Sequence, residues 1–263
     1  MTGRSMREEA ARAARNRAAA PRAARLIAPL LVFLLLAAGW QWVAFNLKSI
    51  LPSLQSVGLE LLARPGFYLG HLWVTLSAAL SGFAIGSAIG ILLAILIVHF
   101  SVLRAAILPV ALMLNVTPVV AISPALIVAF GFNAVPHIIV AAISAFLPML
   151  INALTGLRAI DRDAQDVFRS LSASKMETLW HLRLPSSLPH LFAGARLAIA
   201  AAMVGSIVSE FMGTSKGIGA TIIMATAYLN LPQMWVSIFV SALTSLLLIG
   251  LVDLAERALI RWS

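Results

Sequence analysis

Cysteine is absent from all 263 residues, which excludes disulfides, thiol catalysis and cysteine-held zinc or iron–sulfur centres. Charge is scarce as well. Only 11% of residues are Asp, Glu, Lys or Arg, where soluble domains carry about 25%, and 61% are hydrophobic. A chain of this composition is a polytopic membrane protein. Acids number 10 against 19 lysines and arginines, a formal net charge of +9. That excess does not signal nucleic acid, because seven arginines fall within residues 1–25 and most of the others flank apolar runs.

A spanning helix needs about 20 apolar residues, since each adds about 1.5 Å towards a hydrocarbon core of about 30 Å. Six stretches qualify: 26–45, 72–98, 105–130, 135–157, 191–212 and 234–254. The expected fold is all-α with six transmembrane helices. Pro109, Pro118 and Pro124 make the third segment the least regular. With Arg196 set aside inside a helix, the loops of one side hold fifteen Lys and Arg against three (Lys48, Arg64 and Lys216) on the other. The positive-inside rule then assigns both termini and the loop over 158–190 to the cytoplasm.

Residues 1–25 read as a basic cytoplasmic tail that is solvated or rests on lipid headgroups. Arginines followed by an apolar run and by Ala37, Ala38 and Gly39 resemble a cleavable signal peptide, but the run continues through Trp40, Trp42, Val43 and Phe45. The expectation is a retained first helix over 26–45. Residues 46–71 form an outer connection containing a short amphipathic helix closed by Pro65 and Gly66. The core occupies 72–258, and 259–263 is a cytoplasmic C-terminus.

In the second segment Ala78, Gly82, Gly86, Gly90 and Ala94 recur every four residues, a flat ridge on which another helix approaches closely. Polar residues within spans are costly and so informative. Asn115 and Thr117 precede Pro118, where freed carbonyls line a translocation path or, alternatively, hydrogen-bond a neighbouring helix at a kink. Glu210 is an acid within a span, assigned here to structure or gating of that path ahead of substrate binding.

No catalytic machinery emerges. The run 213–221, GTSKGIGAT, imitates a phosphate-binding loop in composition, but its lysine precedes Gly217 instead of following it. The histidines at 71, 99, 137, 181 and 190 lack metal-ligand spacing with acids. The expectation is a protein that is not an enzyme, binds no metal and no cofactor directly, and takes energy for uphill movement from another subunit or an ion gradient.

The polar stretch 163–190, DAQDVFRSLSASKMETLWHLRLPSSLPH, interrupts two very apolar segments. Its pattern resembles the permease subunits of bacterial ABC importers, in the nitrate, sulfonate, taurine and bicarbonate group. Their cytoplasmic signature runs Glu-Ala-Ala, three residues, Gly, nine residues, Ile-x-Leu-Pro. Here the run is Asp166-Val167-Phe168, three residues, Ser172, nine residues, Leu182-Arg183-Leu184-Pro185. The segments SSLPHLFAGARLAIAAAMVGSIVSEFMGTSKGIG, PVVAISPALIVAFGF and LVDLAERALIRW are also similar, so the resemblance covers roughly residues 50–262. Asp166 stands for Glu, Phe168 for the second Ala, and Ser172 for the Gly, which lacks glycine's free access to positive φ.

The resemblance implies a type I ABC importer permease fold in the bacterial cytoplasmic (inner) membrane. It implies a coupling segment in which Asp166, Arg169, Ser172, Ser174, Lys175, Met176, Leu179, Trp180, Leu184 and Pro185 meet an ATP-binding cassette ATPase. A short helix over 174–182, lying parallel to the membrane, would present Met176, Leu179 and Trp180 to a groove on that partner. ATP would be bound by the partner. An extracytoplasmic solute-binding protein, a second and identical permease subunit and membrane lipid complete the implied partners. The cargo implied by analogy is a small anion such as a sulfonate, nitrate, taurine or a carboxylate. The competing reading is an autonomous secondary transporter or channel, which calls for midplane ionisable groups and inverted halves; neither is evident in the sequence.

Overall fold

The computed structural model describes residues 22–46, 51–212 and 214–260. Residues 1–21 of the basic tail over 1–25, residues 47–50 with Lys48, residue 213 and residues 261–263 lie outside them. Two compact units are present, Met1–Val57 and Gly58–Ser263. In the first, α1 (Arg22–Asn46) carries the first expected span. The Trp40 indole N–H donates to the Pro52 carbonyl at 3.0 Å, and Gln41 Oε1 accepts from the Leu54 amide at 3.2 Å. The return of the chain is thereby fixed at α2 (Leu54–Ala63).

The second unit is built on three helices, α3 (Pro65–His99), α6 (Ala134–Arg158) and α9 (Leu184–Glu210). α6 lies between the other two and packs most extensively against both. The small-residue ridge of α3 makes this possible: Ala78, Gly82, Gly86, Gly90 and Ala94 are all buried. A Cβ added at Gly86 would collide with the Ala142 carbonyl of α6, and one at Gly90 would stand 3.0 Å from the Leu150 nitrogen. The two backbones are in contact, with no layer of side chains between them. Ile97, Leu150, Leu157 and Leu179 fill the apolar core at the end of the bundle that carries the polar loop.

Among the described residues, four helical runs are long and apolar enough to cross a membrane: Pro65–His99, Ala134–Arg158, Lys175–Glu210 and Leu231–Leu259. The last is α11. α3 begins seven residues before the expected 72, because Pro65 opens it instead of closing the amphipathic helix. Proline suits the first helical turn, where its missing N–H costs nothing and its φ is already helical.

The expected third span over 105–130 is two helices, α4 (Ser101–Val116) and α5 (Val119–Phe130). Thr117 adopts φ −64°, ψ 126°, the extended conformation that a following proline imposes. Pro109 and Pro124 sit inside helices and do not break them. At the end of the bundle opposite the polar loop, α10 (Ile218–Ala227) is a ten-residue helix packed mainly on α11.

Candidate functional site

Two places attract functional interest, the polar loop at one end of the bundle and the region around the Pro118 break and Glu210. The loop contains α7 (Arg162–Ser170) and α8 (Lys175–Thr178). α7 closes in a Schellman motif: the Ala173 amide donates to Phe168 O at 3.0 Å and the Ser172 amide to Arg169 O at 3.0 Å. The motif demands a left-handed residue, and Ser172 supplies it with φ 55°. This is the position where the resembling family has glycine. α8 starts at a capping box, in which Ser174 Oγ accepts from the Glu177 amide and Glu177 Oε2 accepts from the Ser174 amide, at 3.2 and 2.7 Å. The sequence reading did not use this Ser-x-x-Glu signal.

The expected helix over 174–182 does not end there. It passes through a π turn, Leu179–Arg183, directly into α9, so that Lys175–Glu210 is one helical run. Pro185 follows the widened turn and stands in the first turn of α9, where its missing N–H costs nothing. Arg183 Nη1 donates to the Leu157 carbonyl at 3.0 Å and ties this junction to the end of α6.

Leu179 is 3% exposed and belongs to the core with Ile97 and Leu157, which corrects the expectation that it is free to enter a partner groove. Met176 and Trp180, four residues apart and on one helix face, are 57% and 62% exposed. Val167 and Leu171 are also exposed, and the sequence reading had not singled them out as contact residues. Asp166, Arg169, Ser174, Lys175 and Pro185 are exposed around them, with Leu184 half-buried. Asp166 and Arg169 form an ion pair at 3.3 Å within α7. Phe168 points back into a cleft of about 350 Å³ that His99, Arg169, Lys175 and Arg183 also line. Its extra bulk relative to alanine is spent against the bundle.

Thr117 lies on the exposed surface of the α4–α5 junction, its hydroxyl donating to Met113 O at 2.8 Å. Asn115 is in the last turn of α4, and its side chain lies outside the described residues. Beside them Leu114 forms one wall of a cavity of about 380 Å³, lined also by Ile143, Ser144, Pro148, Ala200, Ala201 and Val204 from α6 and α9.

Glu210 is only 1% exposed and ends α9. Its Oε2 accepts from Thr75 Oγ1 of α3 at 2.9 Å and from the Gly219 amide of α10 at 2.8 Å. Thr75 Oγ1 in turn accepts from the Ile218 amide at 2.8 Å, and the Gly217 amide donates to His71 Nδ1 at 3.1 Å. Three successive amides at the start of α10 are thus satisfied by side chains from α3 and α9. Gly217, at φ 107°, leaves no room for a side chain: a Cβ there would fall on the Glu210 carboxyl carbon. The carboxylate therefore acts as the cap of α10. Arg196, which cannot reach Glu210 along α9, instead pairs with Asp253 at 2.8 Å and with Glu256, both on α11.

Comparison with known proteins agrees with this architecture. Residues 86–262 match the family described as binding-protein-dependent transport system inner membrane component. A riboflavin transport system permease protein of Chloroflexus aurantiacus is 35% identical over 192 residues, 73% of this chain and 72% of the relative. A putative aliphatic sulfonates transport permease protein of Bacillus subtilis is 32% identical, covering 75% and 71%. A formylaminopyrimidine transport permease protein of Halalkalibacterium halodurans is 27% identical over 92% of this chain and 98% of its own. Among solved structures, an amino acid ABC transporter crystallised with histidines superposes with a TM-score of 0.64 at 15% identity, over 76% of this chain and 98% of that one, a likeness of fold.

Proposed function

We infer, for a chain that belongs to the family of binding-protein-dependent transport system inner membrane components, that it forms the membrane half of an ATP-driven importer whose energy enters through the loop over 158–190. The protein is a polytopic ABC importer permease for small solutes, with the type I fold. In the proposed assembly a pair of these chains binds two separate ATPase subunits at the loop. A solute-binding protein delivers cargo at the opposite face. Both termini lie in the cytoplasm, in keeping with the fifteen-to-three split of basic residues.

One observation carries this reading. Met176 and Trp180, with Val167 and Leu171, stand exposed among the charged and polar side chains of the loop, and the loop's shape is fixed by a Schellman motif, a capping box and the Arg183 anchor. Apolar side chains held out from a rigid polar loop suit a partner groove. Because the loop continues without a break into α9, displacement of the loop moves the helix that lines the cavity beside the Pro118 break. Asn115, Thr117 and Pro118 are assigned to the path, and Glu210 to holding the α10 loop over its outer end.

The test is purification of the tagged chain from its host in mild detergent, with mass spectrometry and an ATPase assay of what accompanies it. A stoichiometric ATP-binding partner with measurable hydrolysis is expected. A lone chain that moves solute in liposomes would overturn the proposal in favour of a secondary transporter.

A further inference from the structure

The charges of the polar loop nearly cancel in sequence but are sorted in space. Residues 158–190 hold five lysines and arginines against four acids. Three of those five cations, Arg169, Lys175 and Arg183, line the cleft of about 350 Å³ between the loop and the end of α3, where His99 joins them, and no Asp or Glu is among its lining residues. We propose that this cleft binds the phosphate headgroup of an anionic phospholipid from the leaflet on the polar-loop side.

Local structure sets each of these groups in place. Arg183 donates one guanidinium N–H to the Leu157 carbonyl at 3.0 Å and keeps the rest of its fork for a ligand. Lys175 opens α8 directly after the capping residue Ser174. His99 donates its Nδ1–H to the Ile95 carbonyl at 3.0 Å, so that Nε2, once protonated, can donate to a phosphate oxygen. Arg169 pairs with Asp166 at 3.3 Å, but both side chains are mostly exposed and water weakens the pair. Beyond the lining residues, Arg158 feels the charges of both Arg104 and Arg183. Like charges gathered in this way repel one another, and a bound anion replaces that repulsion with attraction.

The position and the apolar walls of the cleft point to a lipid as the source of the phosphate. α3 is a spanning run that ends at His99, which puts the cleft at the level where hydrocarbon gives way to headgroups. A basic pocket between helix ends at that level suits an anionic headgroup. Val98 and Phe168 line it beside the cations, and Phe100 and Val102, both exposed, follow His99 directly in the chain. A soluble phosphate gains nothing from such apolar surface, whereas the glycerol and first methylenes of a phospholipid do. Since a water takes about 30 Å³ of liquid, the cleft accepts a group of about ten non-hydrogen atoms, the size of a phosphoglycerol. Met176 and Trp180 do not line it, so a lipid there leaves the proposed ATPase contact open. The headgroup bridges α3, α7 and α8 and fastens the loop to the bundle.

The full chain, purified with whatever accompanies it and stripped of lipid in detergent, is titrated with phosphatidylglycerol, with phosphatidylcholine of the same acyl chains, with inorganic phosphate and with glycerol 3-phosphate. Native mass spectrometry and thermal melts read the binding. Phosphatidylglycerol is expected to bind at least tenfold more tightly than phosphatidylcholine. Arg169→Gln with Lys175→Gln should weaken phosphatidylglycerol binding tenfold or more. Arg162→Gln with Arg257→Gln, which removes two exposed charges outside the cleft, should leave it unchanged. Equal affinity for the two lipids overturns the proposal on the unaltered chain, whether or not any variant folds. A loss in the Arg162 and Arg257 double variant as large as in the cleft variant reduces the effect to general surface charge and overturns it too. Inorganic phosphate or glycerol 3-phosphate binding as tightly as phosphatidylglycerol would assign the cleft to a soluble phosphate and overturn the lipid source.

Discussion

Glu210 and Thr75, 135 residues apart, meet at 2.9 Å where α9 ends against α3, and the same carboxylate oxygen holds the Gly219 amide. The second oxygen, Oε1, is buried without a hydrogen-bond partner among the described residues. Glutamine can present one oxygen to both donors, so Glu210→Gln is expected to keep the fold. Glu210→Ala strips the acceptor from two buried donors at about 1–3 kcal/mol each, and should lower recovery of folded protein in detergent. Equal recovery of the two variants would show that the cap contributes nothing.

Ser172 at φ 55° bears the steric cost of a left-handed residue, which glycine avoids. Ser172→Gly should stabilise the loop by about 0.5–1 kcal/mol, and Ser172→Val should destabilise it further than wild type. Hydrogen exchange of the Ala173 and Ser172 amides reports this directly; slower exchange in the glycine variant is the expected result.

Trp180 and Leu179 are neighbours with opposite duties. Trp180→Asp puts a charge where the proposed groove is apolar, and should abolish ATPase association while insertion and stability stay unchanged. Leu179→Ala removes a side chain buried beside Ile97 and Leu157, at about 2–5 kcal/mol. That variant should lower thermal stability first. If Trp180→Asp leaves the complex intact, the docking assignment fails.

Much of this architecture was legible in the chain because it rests on local patterns. The ridge from Ala78 to Ala94 repeats every four residues, and its burial against α6 follows from that spacing. The motif spacing from Asp166 to Pro185 pointed to the family that residues 86–262 match. The inward turn of Leu179 was not legible, because the residues it packs with, Ile97 and Leu157, come from α3 and α6 and are distant in sequence. Nor could the three prolines of 105–130 be told apart: only at Pro118 does the helix break, a choice set by tertiary surroundings. Glu210 is the extreme case, since its partners come from α3 and α10 and no sequence neighbour announces them.

Gly86 tests the ridge itself. A leucine there meets the Ala142 main chain, which cannot move aside as a side chain end would. Gly86→Leu should therefore separate α3 from α6 and cost more than the 1–3 kcal/mol typical of overpacking, read as a fall in the amount of monodisperse protein in detergent. Gly70, with open space around its Cβ position, is the control and should accept alanine with little change.

Arg196 tests how the last helix is held. Its guanidinium bridges Asp253 and Glu256, three residues apart on α11, with the three side chains between 24% and 43% exposed. Partial exposure screens the pair, so the triad falls below the 3–5 kcal/mol of a fully buried pair and above the 0–1 kcal/mol of a surface one, at about 1–2 kcal/mol. Arg196→Leu leaves two like charges facing each other and should destabilise by that amount. Adding Asp253→Asn and Glu256→Gln to Arg196→Leu removes the repulsion, and the triple variant should recover part of the loss in a thermal melt of the purified protein. A triple variant no more stable than Arg196→Leu would mean that α11 is held by its apolar contacts alone.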